Sequence, residues 1–163
     1  MKKLILLLIA GLLMVPALNG FAQKPPKPDI KKKITIPGTE DWVNTGIKVL
    51  PKDKIVITVE GEVCFSGNYP EACVDPDGWG RETYFDDWPG DYTECDDPMM
   101  QYNHCTVLGN VGNDDFLVGK EITVTGKEGI LYLGINDCTF TQPEELQNTG
   151  EFVALIKVYK KKK

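Results

Sequence analysis

The sequence predicts an all-β protein, a two-sheet antiparallel β-sandwich, on three observations. From Ile34 onward apolar residues recur at every second position. The alternating segments are short and bounded by Gly, Pro, Asn and Asp. No amphipathic helical stretch of useful length follows the N-terminal segment. Period two places alternate side chains on opposite faces of a strand, and frequent turn residues join such strands into antiparallel layers.

Taken in order, Met1-Lys2-Lys3 is a basic start, Leu4 to Leu18 is mostly apolar, and Gly20-Phe21-Ala22 ends in a small residue. That pattern is a signal peptide, residues 1–22, with cleavage before Gln23. The apolar part is short for a membrane span and is followed at once by Gly, Pro and Lys, so no membrane insertion is expected after cleavage. Residues 23–33 (QKPPKPDIKKK) are rich in Pro and Lys and read as an extended tether. The folded domain is expected over 34–159, with a solvated basic tail at 160–163. Within it, Ile55, Ile57 and Val59 form one strand face, as do Ile122 with Val124, and Leu131, Leu133 with Ile135. Phe152, Ala154, Ile156 and Val158 form another. Residues 65–104 break the alternation and hold four of the six tyrosines, two of the three tryptophans and many carboxylates. An irregular segment this long in a small β domain is usually functional or cross-linked.

Removing residues 1–22 takes away Lys2 and Lys3 and no acid, leaving 16 basic against 24 acidic side chains and a net charge of −8. That balance argues against nucleic acid or an anionic membrane as partner. Roughly 140 remaining residues suit one domain with a single core. All five cysteines, Cys64, Cys73, Cys95, Cys105 and Cys138, lie in the exported part, where disulfides are favoured over metal ligation. No C-x-x-C pair exists and His104 is the sole histidine, which weakens a zinc reading; His104 is expected to be an ordinary polar residue. Five is odd, so at least one thiol is left free or pairs with another chain.

Three constellations carry chemistry. Asp137 lies at the end of a strand and Gln147-Asn148 at the start of the next, so their oxygens can serve a hard cation or simply form turns. Asp75-Pro76-Asp77-Gly78 has the look of a calcium loop, but the EF-hand register would put Cys73 first and Tyr84 last, so a Pro-Asp-Gly turn is expected. Tyr84, Asp87 and Trp88 offer rings for stacking on sugar C–H faces and a carboxylate for hydroxyls, or else anchor a loop. No G-x-S-x-G element accompanies His104 and no carboxylate pair stands out, so catalysis is not expected.

The order of segments adds a resemblance. Trp42-Val-Asn-Thr-Gly-Ile47, Pro51-Lys-Asp53 with Ile55–Gly61, Leu108–Gly112, Phe116–Gly119, Gly129–Asp137 and Asn148-Thr-Gly150 follow one another as in the PA-IL-like (LecA) family of bacterial galactose-binding lectins, which residues 40–159 resemble. The resemblance implies a jelly-roll-like, galactose-binding-domain-like sandwich that binds galactosides through one Ca²⁺. Carried over position by position, it implies side-chain ligands Asp137, Gln147 and Asn148 and backbone carbonyls of Phe65 and Thr141. Asp137 and Asn148 would also meet the sugar, with Tyr84, Asp87 and Trp88 beside it. The expected function is a calcium-dependent carbohydrate-binding module, secreted, periplasmic or at the cell surface, with a homo-oligomer compatible with the fold. Gln147 stands where the family has Asn, and the 137–148 loop is longer. Those departures support the alternative, a structural or protein-interaction sandwich that has lost sugar binding.

Overall fold

The computed structural model describes residues 25–64, 73–80, 97–99, 101–137 and 148–161. The expected signal peptide, the expected site residues Phe65, Tyr84, Asp87, Trp88, Thr141 and Gln147, and the cysteines Cys95 and Cys138 lie outside the described residues. Nine strands are described: β1 (Ile30–Pro37), β2 (Trp42–Val49), β3 (Lys54–Cys64), β4 (Cys73–Val74), β5 (Val107–Val111), β6 (Asp114–Leu117), β7 (Glu121–Val124), β8 (Gly129–Ile135) and β9 (Thr149–Tyr159). One sheet runs β1-β9-β3-β4, with β7 also paired to β3; the other runs β2-β8-β5-β6. Every pairing is antiparallel, so the expected all-β sandwich is what forms.

The period-two pattern fixes the layers. Ile55, Ile57, Val59 and Val63 of β3 face inward beside Phe152, Ala154, Ile156 and Val158 of β9, and meet Leu131, Leu133 and Ile135 of β8 in one buried cluster. Burying one such side chain is worth about 1.5–3 kcal/mol. A slip of one residue would turn the whole inner set of a strand to water, which pins the register.

The β3–β9 ladder is the longest, from Lys54↔Tyr159 to Cys64↔Thr149. It therefore carries the start of β9 to the end of β3. In the other sheet Val107 pairs with Ile135, so the start of β5 lies at the end of β8. Ile36↔Phe152 and Trp42↔Gly134 bring the β1–β2 connection to that same end of the sandwich. Gly134 accommodates this approach: a Cβ there would sit 2.9 Å from Trp42 Cε3.

One boundary differs from expectation. Strand β1 begins at Ile30, so Ile30–Lys33 belong to the sheet and not to a tether. Ile30, Ile34 and Ile36 keep the inward alternation, which Lys32 interrupts in sequence. The Lys32 ammonium instead donates to Thr45 O at 2.7 Å, capping a β-bulge in β2 at Thr45-Gly46. Beyond β9, Lys160 N donates to Asp29 Oδ2, so the start of the tail is tied to the residue preceding β1.

Cys64 and Cys73, cross-strand neighbours in β3 and β4, form a disulfide that closes a loop of sequence separation 9. Closing a loop of that size removes about 2.5–3 kcal/mol of unfolded-chain entropy. The double variant Cys64→Ser/Cys73→Ser should lose about 2–3 kcal/mol in urea denaturation; an unchanged midpoint would show that the bridge adds nothing to stability.

Candidate functional site

The end of the sandwich where β5, β8 and β9 meet holds a buried polar cluster. The β5–β8 pairing continues past both strands: Cys105 N donates to Asn136 O and Asn136 N to Thr106 O, each at 2.8 Å. Asp137 follows directly, with 1% of its surface exposed, and Asn148 reaches it from the start of β9 with 2% exposed. The Cys105 thiol donates to Asp137 Oδ2 at 3.1 Å, and Asn148 Nδ2 donates to the same oxygen. Asn148 Nδ2 also lies 3.7 Å from Cys105 Sγ. The carboxylate thus sits in the seam between the sheets, held by one residue from each. Burial, then the Asp137 charge, push the Cys105 thiol well above its usual range, so it is the protonated donor here.

His104 forms the next wall. It is 1% exposed; its Nδ1 lies 2.8 Å from Asp97 Oδ1 and its Nε2 lies 3.9 Å from Asp137 Oδ2. A carboxylate only accepts, so Nδ1 carries a proton and in the neutral ring Nε2 carries the lone pair. The backbone of His104 is clamped to Trp79 by two hydrogen bonds, of 2.8 and 3.1 Å. Gly78 makes this approach feasible: at φ 72 it is left-handed, and a Cβ would fall 2.6 Å from Thr106 N. Cys105 itself has φ 56, a conformation costing about 1–3 kcal/mol for a residue with a Cβ. The fold holds that strain between the Trp79 clamp and the β8 extension, and it is what lets His104 and Cys105 stand beside Asp137.

Asn136 organises the segment that carries Asp97 and His104. Fully buried, its Nδ2 donates to Met99 O (3.1 Å), Tyr102 O (3.4 Å) and Asn103 O (3.0 Å), and its Oδ1 accepts from Met99 N (2.9 Å). Asn136→Ala leaves those carbonyls and one N–H unsatisfied beneath the surface and should cost about 2–4 kcal/mol in thermal or urea unfolding, a sum of several lost hydrogen bonds. A loss under about 0.5 kcal/mol would contradict this role for the side chain.

The structure brings Asp137 and Asn148 together; the other three expected ligands, Phe65, Thr141 and Gln147, and the expected sugar contacts Tyr84, Asp87 and Trp88, lie outside the described residues. His104 corrects its sequence expectation: it is a buried, doubly oriented ring because Asp97 and the Trp79 bridge hold it. Cys105 is in no disulfide. The one available signal was adjacency, since the sole histidine precedes a cysteine and the run Thr106-Val-Leu-Gly109, which is buried throughout. Asp75–Gly78 is the expected turn, closed by Gly78 N donating to Asp75 O at 2.9 Å. Lys120 Nζ bridges Asp75 and Asp77 at 2.7 and 2.9 Å and holds the Asp75 carboxyl below its usual range.

For a hard cation, the informative atom is Asn148 Oδ1, which is buried and accepts no hydrogen bond among the described residues. A carboxamide oxygen without a donor beside a buried carboxylate suits a cation that takes neutral and charged oxygens together. Asp137 and Asn148 therefore fit Ca²⁺, while His104 and Cys105 add a nitrogen and a sulfur that Ca²⁺ does not favour.

No family model matches the chain, and no curated protein matches it. Among solved structures, eight chains match. One is the EclA N-terminal domain, described as a PllA-like lectin, with TM-score 0.55 and 21% identity over 77% of this chain and 94% of that one. At that identity the likeness establishes a shared lectin-like sandwich fold.

Proposed function

We propose that the protein is an exported carbohydrate-binding module in which Asp137 and Asn148 hold a Ca²⁺ ion that a galactoside-type sugar completes. The observation that carries the reading is the pairing of a 1%-exposed carboxylate with a carboxamide whose oxygen accepts no hydrogen bond among the described residues, at the end of a sandwich shared with a lectin domain. Asp137 contributes the charge and Asn148 a neutral oxygen; Gln147 and the Phe65 and Thr141 carbonyls are the further ligands proposed from the family resemblance. A bound calcium would supply open coordination positions for vicinal sugar hydroxyls. Tyr84 and Trp88 are the proposed stacking partners and Asp87 a hydroxyl acceptor. No catalytic step is part of this reading.

Calorimetry of the exported chain with a galactoside panel tests it. Binding should require Ca²⁺ and vanish with EDTA. Asp137→Asn, which keeps the shape and removes the charge, should weaken Ca²⁺-dependent binding at least about tenfold, ~1.4 kcal/mol. Sugar binding that persists in EDTA or in Asp137→Asn contradicts the proposal. The second reading, a sandwich that serves in protein contact alone, is favoured by one observation: Asp137 Oδ2 already accepts from Cys105 and Asn148. It expects no galactoside heat and no change in melting temperature on adding EDTA.

A further inference from the structure

The calcium reading leaves His104 and Cys105 without a role, and both are inside the cluster. Their donor atoms and the Asp137 carboxylate lie within 4.8 Å of one another, and all three residues are buried. Cys105 Sγ is 3.1 Å and His104 Nε2 3.9 Å from Asp137 Oδ2. A tetrahedral Zn²⁺ with bonds of about 2.0–2.3 Å needs donors about 3.3–3.7 Å apart, so seating one opens the sulfur–oxygen pair by about 0.4 Å, closes the nitrogen–oxygen pair by about 0.6 Å and closes the nitrogen–sulfur pair by at most about 1.3 Å, shifts within reach of side-chain rotation.

A second, independent feature points the same way. Asp97, itself 8% exposed, engages Nδ1 of His104, so the imidazole presents Nε2 toward Asp137. A carboxylate orienting a histidine from behind is the usual support of a metal-bound imidazole. The buried Asn148 Oδ1 lies in the same cluster as a candidate fourth donor. The other such grouping among the described residues, Glu62 with Cys64 and Cys73, is closed to metal by its disulfide.

We propose that His104, Cys105 and Asp137 form a Zn²⁺ site, which competes with Ca²⁺ because both ions need the Asp137 carboxylate. Zn²⁺ binding replaces the Cys105 S–H proton, which leaves to solvent; no electron moves. The competition rests on the calcium reading above, whereas the Zn²⁺ site does not. Zinc would thereby switch off sugar binding by taking its one buried carboxylate.

Co²⁺ titration of the full chain, freed of divalent ions, reads the thiolate directly. One equivalent should give thiolate-to-cobalt absorption in the near ultraviolet that Zn²⁺ abolishes, and Cys105→Ser should lose it. Asp97→Asn, which leaves all three ligands in place, should weaken Co²⁺ binding about 10–100-fold. Circular dichroism checks that each variant is folded, with Cys105→Ala as the substitute for an unfolded serine variant. No absorption in the wild-type chain, or an absorption that survives in folded Cys105→Ser or Cys105→Ala, overturns the site; the latter would place the metal on another cysteine. Added Ca²⁺ should raise the apparent Co²⁺ dissociation constant, and a constant that does not move overturns the competition. A normal cobalt signal with no galactoside binding would instead count against the lectin reading alone.

Discussion

A carboxylate only 1% exposed, at the seam between two sheets, sets the terms for the structure around it. Moving an ionised group out of water costs several kcal/mol unless hydrogen bonds or an opposite charge compensate it. Two neighbours of Asp137 among the described residues supply part of that compensation. Cys105 offers its S–H from the β5 side and Asn148 its amide N–H from β9, while the His104 ring closes the far wall with Nε2 3.9 Å away. The strain at Cys105, the missing Cβ at Gly78 and the four hydrogen bonds of Asn136 all serve to hold those groups in place.

The same arrangement explains why the site is chemically ambivalent. On the β9 side Asn148 donates its amide N–H to Asp137 and keeps a buried oxygen that accepts no hydrogen bond among the described residues, a donor that suits a hard cation. From the β5 side Asp137 sees nitrogen and sulfur, which suit a softer one. The Asp137 carboxylate stands between them, so the Ca²⁺ and Zn²⁺ proposed above would compete for it. The long β3–β9 ladder makes this possible by delivering Asn148 to the end of the sandwich that the β5–β8 pairing has already lined.

The fold was legible because burial on one face of a sheet writes itself into alternate residues. Phe152, Ala154, Ile156 and Val158 could be read directly, and each is fully buried. Strand β1 was harder because Lys32 occupies an inward position, and only the bulge carbonyl of Thr45 explains its place. In the site, Asp137 and Asn148 stood out as oxygen-bearing residues at strand ends, the family resemblance made them expected ligands, and the fold brings the two side chains together. His104 and Cys105 did not stand out, because their partner Asp137 is more than thirty residues away and no local spacing encodes that contact. Asp97 likewise gains meaning only through the folded geometry, as the support for one imidazole nitrogen.

The most direct test of the idea that Asp137 is a cation ligand is a crystal structure of residues 23–163 grown with Ca²⁺, with anomalous scattering to locate the ion. The account predicts an anomalous peak within coordination distance of the Asp137 carboxylate and Asn148 Oδ1. A well-ordered structure in excess Ca²⁺ with Asp137 Oδ2 still bonded to Cys105 and Asn148, and no ion beside it, would contradict it.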